Sequence, residues 1–135
     1  MGYRTSPHTA DIQLEAWAPT REECIAEAVT ALVASFADLT GSEPTGTAEA
    51  LIDPGTDEDM LVEVLDEVIF RMETAGQLPL STDVESLTSG LQVRFRMTDI
   101  SQVEPVGATP KAVSLHDLRM TAEGGQWSCQ ATVDV

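Results

Sequence analysis

Twice along this chain a threonine is followed three residues later by an acidic residue, and then by apolar side chains spaced for one face of an α-helix. No other feature constrains the fold as much. Thr20 and Glu23 form the first such pair, with Ile25, Ala28, Val29, Leu32, Val33 and Phe36 recurring after them, so the spacing predicts a helix that stops near Leu39, before Gly41. Thr56 and Asp59 form the second, followed by Leu61, Val64, Leu65, Val68, Ile69 and Met72, with Gly76 as the stop. Asp57, Glu58 and Asp59 suit the positive N-terminal end of that second helix. Both apolar stripes must lie on a surface that other segments supply.

Those segments read as strands. DIQLEAWA at 11–18 alternates Ile12, Leu14 and Ala16 against Asp11, Gln13, Glu15 and Trp17, the period of a half-buried strand. LQVRFRM at 91–97 sets Leu91, Val93, Phe95 and Met97 against Arg94 and Arg96, and QWSCQATVDV at 126–135 sets Trp127, Cys129, Ala131, Val133 and Val135 against their neighbours. Weaker patterns cover 47–53 and 79–88. Between Val113 and Met120 the inward phase changes from odd to even positions at His116 and Asp117, which predicts a β-bulge. The segments Gly41 to Gly46, Asp53 to Thr56 and Asp99 to Pro110 read as linkers inside one domain spanning 1–135. The element order β-α-β-α followed by strands predicts an α+β fold, with two amphipathic helices packed on one face of a largely antiparallel sheet. The other face would carry Asp11, Gln13, Glu15, Arg94, Arg96 and Asp134.

Among 135 residues, 23 acidic against 7 basic side chains give a net charge of -16, which repels a phosphate backbone and disfavours direct binding of nucleic acid. A basic partner or a cation fits better, although the acidity also serves simple solubility. No apolar run is long enough to span a bilayer and the first residues lack a secretion signal, so a cytoplasmic protein is expected. Cys24 and Cys129 form no CxxC pair and read as packing residues. Phosphate-binding, hydrolase and zinc-protease motifs are missing, and no nucleophile with an adjacent base can be assembled, which disfavours an independent enzyme.

The residues left for chemistry sit at strand ends. Asp134, followed by the carboxylate of Val135, pairs two hard oxygen donors, and Asp11 would join them if its strand ran antiparallel beside the last one. Such carboxylates repel one another, and a divalent cation reverses that sign. Oxygen donors favour Ca²⁺ or Mg²⁺, while His8, three residues before Asp11, keeps transition metals open. The same carboxylates also suit the role of solvated strand ends. His8 and His116 are candidate supports around the ligands. Lys111, the sole lysine, could pair with carboxylates or contact a phosphate, and it could equally be a solvated side chain.

Three stretches together resemble the archease family: HTADIQLEAW at 8–17 with the TREECIAEAVTALVASFADL helix, LVEVLDEVIFRME in the middle, and PKAVSLHDLRM with GGQWSCQATVDV at the end. The resemblance covers the whole chain; Leu115 and Ala18 depart from it at packing positions, where many relatives have an aromatic residue and a glycine. It implies a metal-binding accessory protein for the GTP-dependent RNA ligase that joins a 3′-phosphate or cyclic-phosphate end to a 5′-hydroxyl in tRNA splicing or RNA repair. Such a protein promotes guanylylation of the ligase and its multiple turnover. Carried over by residue, Asp11, Asp134 and the Val135 carboxylate resemble the family's metal ligands, and Lys111 its required lysine. Two other functions stay open: a chaperone or specificity modulator of a tRNA cytosine methyltransferase, and a thiol-responsive chaperone using Cys24 and Cys129.

Overall fold

The computed structural model describes residues 1–7 and 11–135 of the chain. In chain order its elements are β1 (Gly2–Pro7), β2 (Asp11–Ala18), α1 (Arg21–Ala34), β3 (Ala37–Asp38), β4 (Gly46–Ile52), α2 (Asp57–Ala75), β5 (Gln77–Leu87), β6 (Gly90–Asp99), β7 (Glu104–Pro105), β8 (Ala112–Glu123) and β9 (Gln126–Asp134). Every strand pairing is antiparallel. The strands form a four-stranded sheet ordered β1-β2-β9-β8, a three-stranded sheet ordered β4-β6-β5, and a small β3-β7 pair.

Both helices begin as the threonine pairs predict. The Thr20 hydroxyl accepts from the Glu23 amide at 3.1 Å, and the Thr56 hydroxyl from the Asp59 amide at 3.1 Å, so each satisfies a main-chain donor that the helix leaves unpaired. Arg21 joins the two helix starts, donating to Asp57 at 2.9 Å and to Glu22 at 2.9 Å. Gly76 closes α2 in the left-handed conformation, φ 63°, and its amide donates to the Met72 carbonyl.

The predicted end of α1 is corrected from Leu39 to Ala34. The Ser35 hydroxyl donates to the Leu32 carbonyl at 2.7 Å, and the chain then leaves the helix to pair β3 with β7. Phe36 stays buried, but from beyond the helix. The pairing with β7 also puts structure into the predicted 99–110 linker, and β1 is a strand that periodicity did not mark.

The helices hold the two larger sheets together. α1 packs against β1, β2 and β9 on one side and β5 on the other, while α2 contacts β8 of the first sheet and β4 and β5 of the second. Leu14, Ala16 and Ala18 of β2 meet Ile25, Leu32, Leu61, Leu65 and Phe95 in one continuous core. Each fully buried Leu or Phe contributes roughly 1.5–3 kcal/mol of transfer free energy before chain entropy is charged against it.

Splitting the strands between two sheets changes the expected polar face. Asp11, Gln13, Glu15 and Asp134 do lie together on β2 and β9, opposite the core-facing Leu14 and Ala131. Arg94 and Arg96 belong to β6 in the other sheet, where Arg94 pairs with Glu49 at 3.1 Å.

The predicted bulge is present in β8. Ladder pairing with β9 shifts register between Ser114 and Arg119, and Asp117 takes φ 58° at the break. Gln130 holds the displaced segment by donating to the Asp117 carbonyl at 3.2 Å. Trp127 packs half-buried against the core, as its phase predicts. Trp17 lies over Gly2, where any added Cβ would meet the indole at 2.4 Å.

Candidate functional site

Antiparallel pairing of β2 with β9 sets Asp11 directly opposite Asp134. Residues opposed in this way have Cα atoms about 4.5–5.5 Å apart and share a face. Asp11 is half-buried and Asp134 exposed, so the first carboxylate is the less hydrated of the two. On the other side of β9, Asp134 is opposite Ala112, and the Lys111 amide donates to the Asp134 carbonyl at 2.8 Å. The single lysine is thereby fixed on the main chain one step from the carboxylate pair, with its side chain exposed.

Asp11 and Val135 also line one cavity of about 400 Å³, together with Thr5, Ile12, Ser35 and the loop from Val106 to Ala108. That loop approaches α1 so closely that a Cβ on Gly107 would lie 2.3 Å from the Ser35 carbonyl oxygen. Only glycine fits there. The sheet end therefore brings together Asp11, Asp134, Val135 and Lys111, four of the residues singled out from the sequence.

The two histidines differ from these. His8 lies outside the described residues. His116 stands exposed in the β8 bulge, its Nε2 3.7 Å from Asp117.

Like charges placed directly opposite across a ladder are destabilising, so the Asp11–Asp134 rung calls for a compensating positive charge. Among the described residues no three His, Cys, Asp or Glu side chains gather closely enough to hold a metal ion. Asp11 and Asp134 offer hard oxygen donors, the donor type that Ca²⁺ or Mg²⁺ takes. The register itself was the missing signal: nothing local in HTADI or VDV states that these strands are neighbours.

Cys24 and Cys129 are free and buried, consistent with the packing role read from the sequence. The Cys24 thiol donates to the Ala16 carbonyl at 3.5 Å. Hydrogen bonding with Cys24 and burial push the Cys129 thiol far up.

Two helices packed with antiparallel sheets place this protein in the α+β class. The chain belongs to the Archease protein family (MTH1598/TM1083), whose family model matches residues 3–135. It is 43% identical over 134 residues to a probable protein archease of Mycobacterium tuberculosis, covering 99% of this chain and 75% of that relative. It is 28% identical over 142 residues to protein archease of Methanopyrus kandleri, covering 100% of both chains. Its fold is similar to the solution structure of Methanobacterium thermoautotrophicum protein 1598, with a TM-score of 0.79, 21% identity and 99% of each chain covered. A crystal structure from Thermotoga maritima, described as an archease and possible chaperone, matches with a TM-score of 0.70, 23% identity, and 95% of this chain and 93% of that chain covered. Among the described residues, no helix is long and apolar enough to cross a membrane.

Proposed function

We propose that this protein is a metal-binding accessory factor that activates the GTP-dependent RNA ligase of tRNA splicing and RNA repair, promoting ligase guanylylation and multiple turnover. The observation that carries this reading is the Asp11–Asp134 rung, with Val135 and the main chain of Lys111 beside it. Asp11, Asp134 and the Val135 carboxylate would hold a divalent cation, Ca²⁺ or Mg²⁺, which would supply a fixed positive charge at the sheet end. Without the cation these carboxylates repel one another; with it bound, their attraction to the shared positive charge would hold the ends of β2 and β9 together. Lys111, tied to Asp134 through its main chain and exposed at its side chain, would offer an ammonium group to a phosphate oxygen or to a carboxylate of the partner. A protein acting in this way holds no RNA itself, consistent with its net charge of -16. Complementary charge then speeds its encounter with a basic partner, and that encounter weakens as salt rises.

The test is a ligase guanylylation and turnover assay comparing wild type with Asp11→Ala, Asp134→Ala and Lys111→Ala. Stimulation is expected from wild type and to be lost in each variant. Equal stimulation by all four folded proteins refutes the assignment. A second reading, a chaperone or specificity modulator of a tRNA cytosine methyltransferase, draws on the likeness to the Thermotoga protein described as a possible chaperone. Pull-down with each enzyme separates the two.

A further inference from the structure

The two cysteines of this chain, far apart in sequence, meet in the core. Cys129 stands directly opposite Ala16 across the β2–β9 ladder, and the Cys24 thiol, carried at the end of the first turn of α1, reaches the carbonyl of that same Ala16 at 3.5 Å. The Cys129 sulfur in turn lies 4.0 Å from the Cys24 carbonyl, and the two thiols share a hydrogen bond. Side-chain contact of this kind is what a disulfide between helix and strand requires. The pair is also unequal. Hydrogen bonding with Cys129 holds the Cys24 thiol below its ordinary value, whereas the same bond, together with burial, pushes Cys129 up, so Cys24 is the better nucleophile. Solvent approaches the pair from one side. Trp127, two residues before Cys129 on the same side of β9, is half-buried and lines a depression of about 350 Å³ with Pro19, Thr20, Arg21, Glu22 and Asp57. The Thr20 carbonyl accepts from the Cys24 amide at 3.0 Å, so this depression lies over the helix turn that carries the more reactive thiol. The end of a helix opens at lower cost than the middle of a core, which admits a water-sized molecule and excludes a bulky one.

We propose that Cys24 and Cys129 are a peroxide-sensitive dithiol: hydrogen peroxide entering beside Trp127 oxidises Cys24, and Cys129 closes on it to give a disulfide that joins α1 to β9 inside the core. In the first step the Cys24 sulfur, as thiolate, attacks one peroxide oxygen. The O–O bond breaks, that oxygen stays on sulfur as a sulfenic acid, and the other leaves as hydroxide, which takes up the proton Cys24 gave up and becomes water. In the second step the Cys129 sulfur attacks the Cys24 sulfur, the S–O bond breaks, and the oxygen leaves as a second water with the proton of Cys129. Two thiols are thus oxidised by two electrons, and one peroxide is reduced to two waters. The reduced pair packs the core, and the oxidised pair fastens the start of α1 to the strand beneath it. This chemistry does not rest on the proposed function.

The experiment exposes native wild type to hydrogen peroxide, counts the remaining thiols with maleimide after denaturation, and maps the peptides. Both thiols should be lost together over hours, with the Cys24 and Cys129 peptides joined within one chain, and dithiothreitol should restore both. Maleimide added to the native protein should label neither. The disulfide closes a loop of about 100 residues, so the oxidised protein should melt roughly 10 °C above the reduced one. In Cys129→Ser the sulfenic acid has no partner, and dimedone should trap it at Cys24; in Cys24→Ser dimedone should trap nothing at Cys129. Two free thiols after peroxide treatment of wild type, or disulfides found only between chains, overturn the inference, and this result needs no serine variant to fold. Dimedone trapped at Cys129 in Cys24→Ser overturns the order of attack.

Discussion

Replacing Asp11 with asparagine should stabilise the metal-free protein while abolishing its response to calcium. Directly opposed residues have Cα atoms about 5 Å apart; taking that spacing for the two charges, the repulsion is about 3 kcal/mol at an effective dielectric of about 20 and about 0.8 kcal/mol in bulk water. Asp134 is exposed, so the smaller end applies, and about 1 kcal/mol of repulsion disappears in Asp11→Asn. With an unfolding entropy of about 2.1 cal/mol/K per residue, that gain raises the melting temperature by about 3–4 °C for a chain of 135 residues. Wild type behaves in the opposite way. Calcium at about a hundred times its dissociation constant stabilises the folded state by about 2.7 kcal/mol, equivalent to roughly 9–10 °C, and EDTA removes this gain. Thermal unfolding followed by circular dichroism, with EDTA and then with excess Ca²⁺, reads both signs. An Asp11→Asn protein that melts below wild type in EDTA and still gains the full calcium shift would refute both the repulsion and the site.

Three further outcomes follow from the geometry. Gly90 opens β6 just after the β5–β6 turn at φ 122°, where a Cβ would crowd the Ile52 carbonyl oxygen; Gly90→Ala should cost at least about 1–3 kcal/mol in urea denaturation, and an unchanged midpoint would contradict that crowding. Asp38 and Asp99 are held below their ordinary value of 3.8 by hydrogen bonds from Thr40 and Ser101, so below that pH the unfolded chain binds more protons than the native one and stability falls. The double variant Asp38→Asn with Asp99→Asn should flatten the acid limb of stability against pH, and a limb as steep as in wild type would count against these bonds. Cys24 and Cys129, both buried, should resist a thiol reagent in the native state and react fully in denaturant; rapid native labelling would contradict the packing.

Helix starts, strand phases and the β8 bulge were all legible because each is written in neighbouring residues. Thr20 and Thr56 meet their amides three residues on, Leu91 to Met97 alternate, and the slip at His116 and Asp117 becomes an actual break in pairing. The end of α1 was not legible, because Phe36 keeps the apolar spacing of a helix while β3 takes the chain away to pair with β7. β1 was missed for a related reason: GYRTSP has little alternation of its own and becomes a strand through β2.

Local chemistry along the chain, then, settled the α+β composition, the faces of most strands and the acidic character of the surface. Tertiary structure alone decided that the strands divide into two sheets, that Arg94 and Arg96 leave the polar face of β2 and β9, and that Asp11 meets Asp134. The physical reason is that periodicity specifies which side of an element is buried but not which element covers it. That choice depends on burying both helix stripes at once, which here the two sheets do together, α1 and α2 each packing against strands of both.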